Sequence, residues 1–536
     1  MEQLYFHGTI LPMTGEGDTL EALLVKDGVI AAVGSYEELS ADAPGAEKID
    51  LGSWTMLPGF IDGHSHLTAV AYQLTMANLN PPPTGECTDV EDIVRILQKK
   101  LSQNDLEPGQ WLIGMGYDNS VFPNGDHPTR WDLDRVSTEL PVAAMHTSGH
   151  LCAVNTKAME LLGYLSIPSQ VPEGGVAEPS GLLKEQAFLS PEKQKLMQSV
   201  SPQKVLEYVG KASETYASYG ITTAQDGRTT LEERDLLLGA QRLGTLKTDV
   251  VMYLMPEAAE EILPRQYPAL NAYEGHIRPA GMKFFLDGSP QGKTAWLSRP
   301  YLVAPEGEGG DYRGVPTMKE EEVLLRMRQA VSNHWQINVH ANGDEAIEQM
   351  IRCYEQVLSE NGTSEQLRPV IIHCQTVRED QLERMSKIGM LASFFLDHVY
   401  YWGDYHRDSV LGFERASRIS PLNSAIRNGI SFTMHQDAPV VPPNPVFSIY
   451  NAVNRRTSSG KILGAPERIS VYEALKAVTV NGAYQIFEEN QKGMLKPGYR
   501  ADFVLLNKNP LKVAPDQLSS LEVCQTIKDG TVIYQK

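Results

Sequence analysis

Short apolar runs that end on polar or charged residues recur through the middle of this chain: MLPGFIDGH, GITTAQD, DVVMYLM, GMKFFLD, INVHANGD, PVIIHCQ, GMLASFF and ISFTMHQD. Most are followed by stretches with helical spacing of apolar positions, and two helices stand out, SPQKVLEYVGKASETYASYG before the second run and MKEEEVLLRMRQAVSNH before the fifth. Strands alternating with helices predict a parallel sheet, because the crossover helices cover both faces and leave the strands apolar throughout. Eight such units in a segment of this length predict an α/β fold of the (β/α)8 TIM-barrel type.

The ends of the chain are patterned differently. Residues 3–50 contain LYFHGTIL and ALLVKDGVIAAVG, and the last fifty contain RADFVLLNKNP and VCQTIKDGTVIYQK. Both ends place Lys-Asp-Gly between two apolar runs, which is hairpin chemistry, so they are expected to combine in one small β-domain. Roughly 150 residues separate the first barrel run from the second, too many for a single crossover, and an insertion beside the barrel mouth is expected there. The boundaries are then 1–56 with 485–536 for the terminal β-domain, 57–70 with 214–484 for the barrel, and 71–213 for the insertion.

Composition narrows the function. The chain has 536 residues, 42% of them hydrophobic, enough for a large core. Its 47 basic and 67 acidic side chains leave a formal charge of −20, which disfavours nucleic acid and anionic membrane and suits a small neutral or cationic substrate. The five cysteines are scattered without a CxxC pair, so neither a disulfide framework nor a thiolate zinc site is indicated, and a cytoplasmic setting is expected. No apolar run is long enough to span a bilayer.

The strand ends carry the chemistry. His64 and His66, in LPGFIDGHSHL, are two apart; on a strand such residues point the same way and can hold one ion. In the barrel reading Lys283 ends the fourth strand, His340 the fifth, His373 the sixth and Asp437 the eighth. Barrel active sites lie at the C-terminal ends of strands, so these six converge, and imidazole and carboxylate are common zinc donors. Lys283 admits two readings: a buried amine that reacts with carbon dioxide to give an anionic carbamate bridging two metals, or a lysine that pairs with Asp287 or snorkels out of the barrel. Asp437 can ligate a metal and take the proton of an attacking water, or else cap a following helix, which VVPPNP argues against.

GFIDGHSHL, MKFFLDGS, NVHANGD, IIHCQ and HQDAPV, in that order, resemble the amidohydrolase superfamily, and within it the amidohydrolase-3 branch of YtcJ-like and formamide-deformylase-like proteins; HTSGHLCAVNTKAM and GMLKPGYRADFVLL extend the likeness over nearly the whole chain. The resemblance implies a TIM barrel flanked by a β-sandwich built from both termini. It implies His64, His66 and Asp437 for one ion, His340 and His373 for a second, and carboxylated Lys283 between them. The expected ion is divalent, zinc by preference, with one or two per chain. The implied activity is hydrolysis of a non-peptide C–N bond, amide or formamide in type, by a metal-activated hydroxide, with Asp437 catalytic. Esters and cyclic amides or amidines are alternatives on the same site, and a non-catalytic ligand-binding protein is a third; the expected partner is a small-molecule substrate, with a homodimer as a further expectation. One departure is plain: the branch commonly has Ser-Asp on the last strand, where this chain has Gln436-Asp437 preceded by His435.

Four side chains are candidate substrate contacts: His150 in HTSGH of the insertion, Trp296 after the fourth strand, and Phe395 and Trp402 in FFLDHVYYWGDYH, whose aromatics suggest an aromatic or alkyl substituent. GSPQGKT, residues 288–294, lacks the spacing of a phosphate-binding loop and reads as the loop after the fourth strand.

Overall fold

The computed structural model describes residues 2–82, 84–103, 106–107, 109–147, 151–165, 171–190, 192–193, 197, 200–266, 272–305, 307–361 and 367–536. Within them the eight apolar runs form eight strands: β1 (Phe60–Ile61), β2 (Ile221–Thr229), β3 (Asp249–Leu254), β4 (Ile277–Phe285), β5 (Gln336–Ala341), β6 (Val370–His373), β7 (Leu391–Phe394) and β8 (Phe432–Met434). They lie in one sheet in chain order, every neighbouring pair parallel. Strands β3, β6 and β7 are buried at every position, which is why they read as unbroken apolar runs rather than alternating ones. The two predicted helices are present as α1 (Pro202–Ser218) and α2 (Glu320–Asn333).

The sheet curls and brings the turn after β1 against β8. A Cβ on Gly63, just past β1, would fall 2.6 Å from Thr433 Oγ1 and 2.8 Å from the Met434 carbonyl, so only glycine allows this approach. Beyond it, His66 N–H donates to the Ala438 carbonyl at 2.9 Å. Among the described residues β1 and β8 are joined by such contacts and by no strand ladder, since β1 is two residues long and β8 three.

The two ends of the chain share a sheet. Glu2–Ile10, Leu20–Lys26, Val29–Gly34 and Thr55–Pro58 join Phe503–Leu506, Val523–Lys528 and Thr531–Gln535, with Glu47–Asp50 added on the first strand. Both Lys-Asp-Gly signals are hairpin turns with positive φ at Asp27, Gly28, Asp529 and Gly530. The resemblance implied a two-layered sandwich; the hydrogen-bonded pairing runs as one eight-stranded sheet. One side encloses Tyr5, Leu23, Met56, Phe503, Leu505 and Ile527, and Leu4, Ala22 and Leu24 pack with Leu39 of the helix Tyr36–Asp42.

By contacts the chain divides into two compact units, 1–68 with 210–536, and 69–209. The second has its own six-stranded sheet, with the helix Val90–Ser102 laying Ile93, Val94 and Leu97 into its core. In the first, the curled sheet and the terminal sheet are fastened by a buried charge cluster. Lys492 Nζ pairs with Asp249 at 2.7 Å and Glu488 at 2.6 Å; Lys528 Nζ pairs with the same Asp249 at 3.0 Å and with Asp502 at 3.2 Å; Arg278 pairs with Glu488 at 2.8 Å. Burial of so many charges is tolerable because each meets its opposite.

Candidate metal centre

The turn after β1 aims the first two histidines. Asp62, buried beneath it, accepts from His64 N–H and Gln225 N–H, each at 3.2 Å, and from the Ser65 hydroxyl, which in turn accepts from Tyr216 OH at 2.7 Å. Burial pushes the Asp62 carboxyl up to about 6 against the pull of these donors. Gly227 makes room for the His64 ring: a Cβ there would lie 2.1 Å from His64 Cε1. With the turn so held, His64 Nε2 and His66 Nε2 both face Asp437 Oδ1, at 3.6 and 3.2 Å. The three residues can each offer a ligand atom within 4.8 Å of the others, and Asp437 Oδ1 is buried without a hydrogen bond. Burial opposes ionisation of Asp437, but the neighbouring His66, His435 and Lys283 side chains hold its carboxyl below the usual range. Asp437 and His373 sit at φ of 53° and 70°, left-handed conformations that cost non-glycine residues about 1–3 kcal/mol each and recur at functional sites.

Lys283, His340 and His373 stand beside this group. Lys283 is fully buried, with Nζ 3.2 Å from His64 Nε2 and 5.1 Å from the centre of the Phe285 ring. Burial brings its amine down to about 7, with Asp437 opposing. Asp287 is committed elsewhere, accepting backbone N–H groups of Trp296, Asn342 and Gly343 at 2.7–3.0 Å. Burial, then the charge of Lys283, brings His340 down to about 4, and burial keeps His373 well below its ordinary value. Both rings are therefore neutral. His340 Nε2 lies 3.1 Å from both the Gly288 carbonyl and Asn342 Nδ2, and its Nδ1 lies 3.1 Å from His373 Nε2. Donor atoms on one zinc, each about 2.0–2.1 Å from it, lie roughly 3 Å apart, so the spacing of these nitrogens and the bare Asp437 oxygen fit a cation.

Of the candidate substrate contacts, Phe395 and Trp402 come together beside the histidines: the Phe395 ring lies 6.2 Å from His373, 5.5 Å from His435 and 6.1 Å from Trp402. Trp296 is half-buried and tied by its backbone to Asp287. His150 lies outside the described residues. Its neighbour in the motif, His146, sits in the second unit with Nε2 3.1 Å from Asn119 Oδ1. Tyr400 and Tyr401 meet Phe447 edge to face instead, and the 288–294 loop closes on itself through Thr294 N–H to Ser289 O. Helix capping after β8 falls to Asn444.

Sequence reasoning passed over His435, which is fully buried with Nε2 3.1 Å from His373 Nδ1. The signal was available, since His435 and Asp437 are spaced two apart like His64 and His66. His398, 2% exposed and 6.3 Å ring to ring from His373, had no such signal.

Histidines, a lysine and a carboxylate gathered at the C-terminal ends of parallel strands define a hydrolase of the metal-dependent class. The chain belongs to the amidohydrolase family, whose model matches residues 47–534. Residues 22–46 match an imidazolonepropionase-like composite domain of bacteria. The chain is 29% identical to the YtcJ protein of Bacillus subtilis, named as an amidohydrolase, over 100% of both chains. It is 24% identical to N-substituted formamide deformylase of Arthrobacter pascens, over 96% of this chain and 95% of that one. The crystal structure of an uncharacterized metal-dependent hydrolase from Pyrococcus furiosus superposes with a TM-score of 0.76 at 26% identity, covering 96% of this chain and all of the other.

Proposed function

We propose that this enzyme hydrolyses an amide- or formamide-type C–N bond of a small neutral or cationic molecule. In this reading His64, His66 and Asp437 would hold one divalent ion, zinc by preference, His340 and His373 would hold a second, and Lys283, once carboxylated, would supply an anionic ligand to them. The single observation that carries the reading is the bare, buried Asp437 oxygen facing two imidazole nitrogens. The similarity to N-substituted formamide deformylase supports the bond type.

A bound divalent ion supplies a water of lowered pKa and polarises a carbonyl oxygen. The chain's own residues do the rest. Asp437 accepts the water proton and returns it to the departing nitrogen, so water and amide become acid and amine with no net proton change. Asp62 and Gly227 hold the His64 ring in register with Asp437. Phe395 and Trp402 wall the substrate's apolar substituent. The reading extends to a closed (β/α)8 barrel with the terminal sheet folded as a sandwich, and to a soluble cytoplasmic protein.

Metal analysis of protein purified without chelator tests this. Close to two ions per chain is expected; one removes Lys283 from its bridging role, and none refutes the proposal. A panel of formamides and amides follows, with esters and cyclic amides as controls.

A further inference from the structure

A line of buried polar groups runs from His373 away from the metal centre. His373 Nδ1 lies 3.1 Å from His435 Nε2; His435 Nδ1 lies 2.8 Å from Ser393 Oγ; Ser393 Oγ lies 2.8 Å from Thr433 Oγ1 and 3.2 Å from the Gly63 carbonyl. Thr433 Oγ1 is 2.6 Å from Gln485 Oε1, and Gln485 Nε2 is 2.8 Å from the same Gly63 carbonyl. All of these side chains are 3% exposed or less.

The proton positions follow from the far end inward. A carbonyl only accepts, so the Gln485 amide nitrogen must face Gly63, which turns its oxygen to Thr433. That oxygen has no other donor among the described residues, so it takes the single hydroxyl proton of Thr433. Ser393 then gives its own proton to Thr433 Oγ1 or to Gly63 and has none left for His435. His435 must therefore donate from Nδ1 and accept at Nε2. His373, facing that acceptor, carries its proton on Nδ1 and keeps a lone pair on Nε2, the nitrogen turned toward His340.

We propose that His435 is a positioning residue: through the Ser393–Thr433–Gln485 line it fixes the tautomer and ring angle of His373, so that His373 Nε2 is always presented as a metal donor. The inference rests on the reading of His373 as a ligand. It also gives His435-Gln436-Asp437 a division of labour, with one residue orienting a ligand and the other supplying one. Because Gly63 O receives both Ser393 and Gln485, the same line braces the segment that carries His64.

The test uses the full chain, stripped of metal, with zinc affinity measured by competition against a chromophoric chelator. His435→Leu removes the acceptor, and its affinity is expected to fall about 10–100-fold, the usual effect of losing such a partner. His435→Gln places an amide oxygen near the position of Nε2 and is expected to recover most of the affinity. Ser393→Ala reads the same line one bond further out, and an intermediate loss is expected even if His435→Leu fails to fold. Wild-type affinity in both His435→Leu and Ser393→Ala overturns the proposal, as does an equal loss in His435→Leu and His435→Gln, which marks packing alone. A wild-type chain that takes up no zinc overturns the metal reading and this inference with it, and is told apart by the wild type itself.

Discussion

Replacing Lys283 by methionine should stabilise the metal-free protein, and by an amount that depends on pH. The lysine is fully buried and its amine falls from 10.5 to about 7. A lysine with a lowered folded-state pKa binds fewer protons than it does unfolded between those two values, so stability rises with pH across that window and is lowest below it. The penalty in the native chain is therefore roughly 5 kcal/mol well below pH 7, roughly 4 kcal/mol at about pH 7 and roughly 2 kcal/mol at about pH 9. Methionine keeps the volume of the side chain and has no proton to lose, so the variant escapes this penalty, the figures being upper bounds because nearby dipoles readjust. The assay is urea unfolding of stripped wild type and Lys283→Met at both pH values, with metal absent so that ion binding does not add its own stabilisation. A higher midpoint for the variant near neutral pH, with the gap narrowing on the alkaline side, is expected. No gain, or a gain independent of pH, would show that Lys283 is not held neutral by burial.

Asp437→Asn should keep the fold and part of the metal while losing turnover by about 10²–10⁴-fold, the range for a lost general base; near-normal rates on whatever substrate the panel finds would refute its role. Addition of 13C-labelled bicarbonate to loaded enzyme at about pH 8, where a lysine of pKa near 7 is mostly free amine, should give a carbamate carbon resonance that Lys283→Met lacks. Gly227→Ala puts a methyl carbon 2.1 Å from His64 Cε1 and should displace that ring, lowering zinc content with circular dichroism unchanged; full zinc loading would mean the turn yields more than its hydrogen bonds suggest.

The strand ends were legible because burial on both faces leaves an apolar run, and the first polar residue after it marks the rim of the sheet. Of the six, only His373 is that first polar residue; Lys283 and His340 lie inside their strands, and His64, His66 and Asp437 lie a few residues past theirs. What holds them was not legible: Asp62 meets Gln225, and Ser393 meets Gly63, across separations that no local period encodes. His435 stood out in the sequence only as a departure from the branch's usual last-strand pattern, although it is two residues from Asp437 just as His64 is from His66. The terminal sheet was visible as paired hairpin signals, yet the sequence had no means of showing that Lys528 and Lys492 converge on Asp249.

That convergence has a consequence for assembly. Asp249 lies in the third strand of the sheet that carries the chemistry, and both of its lysines follow it by more than 240 residues. Until they arrive it is a carboxylate that cannot be sealed from water without cost, so the sheet that presents the histidines stays unfinished at its opposite rim. Completion of the chemistry-bearing face is thereby tied to delivery of the segments that carry Lys492 and Lys528. A shortened chain that keeps every candidate ligand would still lack the charges that let its floor close.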